Sequence, residues 1–148
     1  MTNSNTFTFW YRWLLAASII SAGIGLASAL LPDSIIFKLY NTAMADAFSG
    51  GSFTETSDQL RRFLFGPLGG TIAGYFVLQT FIVWNGFYRR ERWTWHAILW
   101  ALLLWFTIDT AVSLYHRAYF NVWMINIWTL ALHGIPLAMT YRYFDHAS

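Results

Sequence analysis

The chain has no cysteine among its 148 residues, and it is poor in charge and in proline. Without thiols there are no disulfides, no thiolate nucleophile, no Cys-ligated zinc, no iron–sulfur cluster and no covalently attached haem. Charged residues make up only 11% of the chain, nine Lys/Arg and seven Asp/Glu, where an ordinary soluble domain carries about 25%. That is too little charge to cover a water-soluble surface. Three prolines (Pro32, Pro67, Pro136) leave long stretches uninterrupted. Phosphate loops, dinucleotide fingerprints, H-E-x-x-H and G-x-S-x-G are also missing. Apolar residues fill the gap: 57% of the chain is hydrophobic and 20% aromatic. This balance points to a lipid-embedded protein and away from a soluble enzyme or a disordered chain.

Four apolar segments, 9–31, 63–88, 93–115 and 119–141, are each long enough to cross a bilayer, which takes roughly 20 helical residues. They are too long for barrel strands and lack the alternating pattern of one. The expectation is an all-α, four-transmembrane-helix bundle forming one domain over 1–148. In the 32–62 loop, Pro32-Asp33-Ser34 signals a helix start. Ile35, Ile36, Leu39, Ala43 and Phe48 then recur at helical spacing, which predicts a short interfacial helix. Ser49-Gly50-Gly51-Ser52 should break it, and Ser57 or Asp58 should cap the second span. Pro67 then falls in that span's first turn, where proline is harmless. The links near 89–92 and 116–117 are tight, so the last three spans should be antiparallel neighbours.

With four spans both ends share one side with the Arg89, Arg90, Glu91, Arg92 turn. That side carries Arg12, Arg89, Arg90, Arg92 and Arg142, with Glu91 and Asp145; the other carries Lys38, Arg61, Arg62 and Arg117. Five basic residues against four favour cytoplasmic termini in a cell inner membrane. A competing reading makes residues 1–31 a cleaved signal peptide ending at Ala27-Ser28-Ala29.

Helices in lipid approach closely through small residues. Gly66, Gly70 and Gly74 on span two, and Ser18, Ser21, Ala22, Gly25 and Ala29 on span one, should pack those spans together. A lipid-tail groove or a homodimer face is the sharper alternative. Asp109 stands inside span three, where a carboxylate costs roughly 2.5–3.5 kcal/mol on insertion scales and marks function. Trp105, Val112, Ser113 and His116 share its face. Asn126, Thr129 and His133 form a second polar stripe on span four. At 1.5 Å per residue, Asp109 and Asn126 both lie roughly 10 Å below one interface, near Thr71 of span two. Gln79 and His133 match in depth nearer the opposite side. Two polar layers between three helices suit a ligand site: Asp109, Asn126, Thr71 and Ser113 at its polar head, Trp105 and Trp128 along its body, Gln79 and His133 deeper. The bland reading is interhelical glue, at about 0.6 kcal/mol per contact. Pro136, beside Gly134, should kink span four below His133. His96, His116 and His133 lie at different depths, which disfavours bis-histidine haem. No catalytic residue, metal or cofactor is expected, and the arginine turn suits anionic headgroups better than nucleic acid.

The stretch Trp105-Phe106-Thr107-Ile108-Asp109-Thr110, with Ser113-Leu114, Tyr119-Phe120-Asn121, Phe65-Gly66, Gly69, Gly74 and Pro136-Leu137, resembles a group of small bacterial four-helix membrane proteins of uncharacterised function. The resemblance covers most of the chain from about residue 60 and implies a bacterial inner-membrane protein. A more distant likeness of architecture is to DoxX-like and sterol-isomerase four-helix proteins. The isomerases use intramembrane His and Glu; here Glu55 and Glu91 fall in expected loops, a departure from that pattern. The leading expectation is a membrane protein that binds a hydrophobic small molecule or lipid in an intramembrane polar pocket. The alternatives are an accessory or scaffold subunit and an oligomeric proton-coupled transporter or channel. Expected partners are membrane lipids and either further copies or a larger membrane complex, without nucleic acid.

Overall fold

The computed structural model describes residues 2–144, with side chains from residue 5 onward; Asp145, counted above with the terminal charges, lies outside them. Helix α1 (Thr2–Leu30) runs unbroken because nothing in it disrupts the ladder: no proline, and no charge after Arg12. A 3-10 turn, Ile35–Phe37, leads into α2 (Lys38–Ser49), which closes on Gly50 in the left-handed region at φ 64°. Glycine suits that position because it carries no Cβ penalty there. The helix foreseen in the first loop is therefore present, one turn later than Pro32-Asp33-Ser34 suggests.

Helix α3 (Glu55–Ile82) begins two turns before residue 63. Thr54 is extended, and its hydroxyl accepts from the Ser57 N–H at 3.3 Å. Glu55 and Asp58 follow in the first turn, where the helix dipole favours them. The cap is Thr54, not Ser57 or Asp58, and Glu55 opens a helix instead of lying in a loop. The longer helix also places Pro67 in its interior rather than its first turn. Past Ile82 the helix loosens into a π-helical turn, Val83–Phe87.

Helix α4 (Arg92–Tyr115) follows, and then the helical run α5 (Tyr119–Tyr143). Within α5, Val122–Asn126 is π-helical and Tyr141–Tyr143 is 3-10. Both short links turn at an arginine in the left-handed region, Arg90 at φ 59° and Arg117 at φ 58°. Helices α1, α3, α4 and α5 are each long and apolar enough to cross a membrane. Helix α1 packs most extensively on α3 and also on α5, while α4 lies against α5 and the end of α3. The buried core sits toward the terminal end, where Phe7, Leu14, Phe87, Trp95, Ile98, Leu137 and Phe144 meet. Phe87 and Phe144 have ring centroids 4.7 Å apart, and the Arg90 guanidinium lies 4.6 Å above the Phe7 ring.

The helix runs on through Pro136 within Ile127–Thr140. Proline lacks the N–H that would bond the Leu132 carbonyl, so that oxygen needs another donor. The Trp13 indole of α1 supplies it at 3.1 Å. A backbone defect thereby becomes an interhelical bond.

The α1–α3 seam differs from the expected one. A Cβ on Gly69 would lie 2.6 Å from the Gly25 carbonyl oxygen and 2.7 Å from the Ala29 nitrogen; one on Gly25 would lie 2.6 Å from the Ala73 nitrogen. The seam is thus Gly25, Ser28 and Ala29 against Gly69 and Ala73. Gly66, Gly70 and Gly74 meet nothing within 4 Å. They lie on α3's outer face, because the i, i+3/i+4 row that meets α1 runs through Gly69 and Ala73.

Gly69→Ala should lower thermal stability in detergent by about 1–3 kcal/mol, the usual cost of overpacking, while Gly70→Ala should leave it unchanged or higher. Equal loss in the two would contradict this seam. Trp13→Phe should cost about 1–3 kcal/mol in the same assay, because it leaves the Leu132 carbonyl without its donor.

Candidate functional site

Two polar clusters lie between the long helices. The first is centred on Gln79 of α3, which is buried. Its Nε2 donates to the Ser18 hydroxyl on α1 at 2.9 Å and to His133 Nδ1 on α5 at 2.9 Å. Ser18 in turn donates to the Leu14 carbonyl, and His133 Nε2 lies 3.3 Å from the Ser21 hydroxyl. Because Nδ1 accepts, the imidazole proton is assigned to Nε2, which donates to Ser21. Phe76 stacks on the ring at 5.0 Å. Helix–helix contact explains why these groups meet: His133 and Gln79 are both on inward faces, opposite the Ser18 and Ser21 pair one turn apart.

The second cluster is centred on Asn121, near the start of α5. Its Nδ2 donates to Asp109 Oδ2 at 2.8 Å and Ser113 Oγ at 2.9 Å, and approaches Asn126 Oδ1 at 3.5 Å. Its Oδ1 accepts from the Tyr40 hydroxyl of α2 at 2.9 Å. Asn126, fully buried in the π-helical turn, donates to Thr110 Oγ1 at 2.9 Å. Asp109 remains partly exposed, and only its Oδ2 is bonded. Helix α2 covers the cluster: Tyr40 packs edge-on against Phe120 at 5.1 Å and Phe65 at 6.3 Å. Burial, and after it the Asp109 carboxylate, pushes the Tyr40 phenol up to about 12, so it remains a donor across physiological pH.

The structure brings together Asp109, Ser113 and Asn126 in one cluster and Gln79 and His133 in the other. Asp109 reaches neither Ser113 nor Asn126 directly; Asn121 bridges all three. Thr71 and Trp128 do not join them. Thr71 is exposed and donates to its own helix at the Pro67 carbonyl, 2.9 Å away, because it lies beside Gly70 on α3's outer face. Trp128 is 64% exposed, two residues past Asn126 and so on nearly the opposite side of the helix. Trp105 packs against the core rather than in a pocket. Sequence reasoning took Ser18 and Ser21 as small packing residues and passed over Tyr40 and Thr110. Asn121 was legible in principle: in a hairpin turning at 116–118 it stands opposite Ser113.

Surface cavities lie away from both clusters. One lies by Asp33, Lys38 and Arg61, another by Asn5, Thr8 and Arg12; neither is lined by Asp109, Asn126, Gln79 or His133. Buried side-chain atoms without a hydrogen-bond partner, among the described residues, are Ser34 Oγ, Asn41 Oδ1 and Arg61 Nη1. None belongs to either interhelical cluster. Among the described residues no three His, Asp or Glu side chains are grouped to hold a metal ion.

In a tyrosine absorbance titration, the difference between the intact protein and Tyr40→Phe should carry its phenolate step near pH 12. The raised phenol pKa means that its stabilising contribution is complete below about pH 10 and is lost as pH climbs through 12. A difference step near pH 10 would show Tyr40 solvated and the Asn121 bond absent.

Compared with models of protein families, with curated proteins and with solved structures, the chain matches none.

Proposed function

We propose that the chain is a multi-pass inner-membrane protein with cytoplasmic termini that serves as an accessory or scaffold subunit of a larger membrane complex. The four helices of spanning length and composition support insertion, and the bias of five basic residues against four supports the orientation. In this setting α2 lies along the bilayer interface, with Ile35, Ile36 and Leu39 on the exposed side of the segment.

One observation carries the subunit reading. Among the described residues the amide nitrogens of Gln79, Asn121 and Asn126 all bond other interhelical polar groups, while the second oxygen of Asp109, on a partly exposed residue in an apolar helix, is left without a hydrogen bond. A closed polar layer holds helices in register and leaves no lining for a ligand. A carboxylate left toward lipid is costly, and a donor on a neighbouring protein's helix relieves that cost.

The same oxygen favours a second reading, in which the polar head of a lipid or other hydrophobic molecule takes the donor's place. Purification in mild detergent, followed by mass spectrometry of both protein and lipid, separates the two. The subunit reading expects a stoichiometric partner protein that Asp109→Leu releases, with helix content and thermal stability changed by no more than about 1 kcal/mol, the scale of one interhelical hydrogen bond. A partner-free protein that loses one bound small molecule on the same substitution would overturn it in favour of ligand binding. Asp109-dependent proton flux in proteoliposomes would overturn both.

A further inference from the structure

The three buried polar atoms without partners among the described residues share one neighbourhood, at the end of the molecule opposite the termini. Asn41 and Arg61 line a cavity of about 370 Å³ together with Asp33, Lys38, Thr42 and Ser52, and Ser34 adjoins Asp33. Asn41 spends its Nδ2 on the Pro32 carbonyl at 2.8 Å, which leaves Oδ1 as an acceptor awaiting a donor. The Arg61 side chain is 5% exposed and bonds Asp33 and Asp58 at 2.6 Å each, yet its Nη1 has no acceptor. Phe53 and Phe65 hold the guanidinium from two sides, 5.2 and 5.8 Å from their ring centroids. The geometry is therefore fixed by carboxylates and rings, and one donor is left over.

The unpaired cationic donors decide the ligand's sign. Arg61 and Arg62 are balanced by Asp33 and Asp58, all four joined in one network of ion pairs. Lys38, also on the cavity wall, forms no ion pair among the described residues and adds a second cationic donor, while the Asp46 carboxylate stands beside Gly51 at the cavity edge. An anion with acceptor oxygens suits Lys38 and Arg61 Nη1; a hydroxyl on the same molecule suits Asn41 Oδ1. Beside the cavity, Ile35, Ile36 and Leu39 are 79%, 71% and 71% exposed, an apolar rail next to a polar pocket.

We propose that this cavity binds the headgroup of an anionic phospholipid with a hydroxylated headgroup, of the phosphatidylglycerol class. The phosphate meets Lys38 and the Arg61 guanidinium, the headgroup hydroxyl donates to Asn41, and the acyl chains run along Ile35, Ile36 and Leu39. Seating the headgroup relieves the unpaired donor and acceptor, which cost most while they stay buried and unbonded. The inference rests on the membrane reading above, but not on the subunit role.

Native mass spectrometry of the delipidated full chain, offered phosphatidylglycerol, phosphatidylcholine or inorganic phosphate, tests it. The expected result is preferential retention of phosphatidylglycerol, weakened about tenfold by Lys38→Gln, as for one charge-assisted hydrogen bond, and restored by Lys38→Arg. Lys38 is exposed, so its substitution leaves the fold in place, and Arg89→Gln at the opposite end should change nothing. Equal retention of the two lipids, or equal loss in both variants, overturns the site. Phosphate binding as tightly as the lipid makes the ligand a free anion and overturns the lipid assignment. A chain that stays monodisperse in water without detergent refutes the membrane reading itself, a result distinct from the others.

Discussion

Three helices converge on the side chain of Gln79. Its amide nitrogen bonds Ser18 on α1 and His133 on α5, while its own backbone belongs to α3. In an apolar helix a buried amide has no water to fall back on, so these partners fix the rotation of each helix about its axis. The Gly25–Gly69 contact sets how near α1 and α3 come; the amide determines which faces meet. Van der Waals closeness and hydrogen-bond geometry are separate demands, and a few residues of α1, from Ser18 to Ala29, satisfy both.

The cluster at Asn121 works by different means. It forms where a short hairpin places the beginning of α5 beside the end of α4, and a π-helical turn brings Asn126 inward to Thr110. Helix α2 then lies over it through Tyr40. The loop between α1 and α3 thus contributes to the bundle and is more than a connection. The same loop also supplies Asp33 to the ion pairs of Arg61 and Arg62 at the start of α3, and the unpaired Ser34 and Asn41 atoms lie in it, so it touches both the Asn121 cluster and the Arg61 network.

Periodicity and composition made the helices legible, since long apolar runs have few other ways to pair their backbone. The ends of the helices were less so. Thr54 outcompetes Ser57 and Asp58 as a cap because of its backbone angles, which residue type alone does not disclose, and the resulting longer α3 moved Pro67 to the interior. Depth arithmetic paired Gln79 with His133 and placed Asp109 near Asn126, because rise per residue is nearly constant. It also included Thr71 and Trp128, which stand at a suitable height but face outward. Height follows from counting; azimuth does not.

The sequence by itself determined that the chain is helical, that four of its helices are long and apolar enough to span a membrane, and that Gln79 matches His133, and Asp109 matches Asn126, in height along the helices. Each of these follows from local chemistry and from one-dimensional spacing. Only the tertiary structure decided that Gly69 and not Gly70 meets α1, that Asn121 stands between Asp109 and its neighbours, and that the indole of Trp13 serves the carbonyl released by Pro136. Those outcomes depend on the relative rotation of packed helices, which many residues at distant positions settle together.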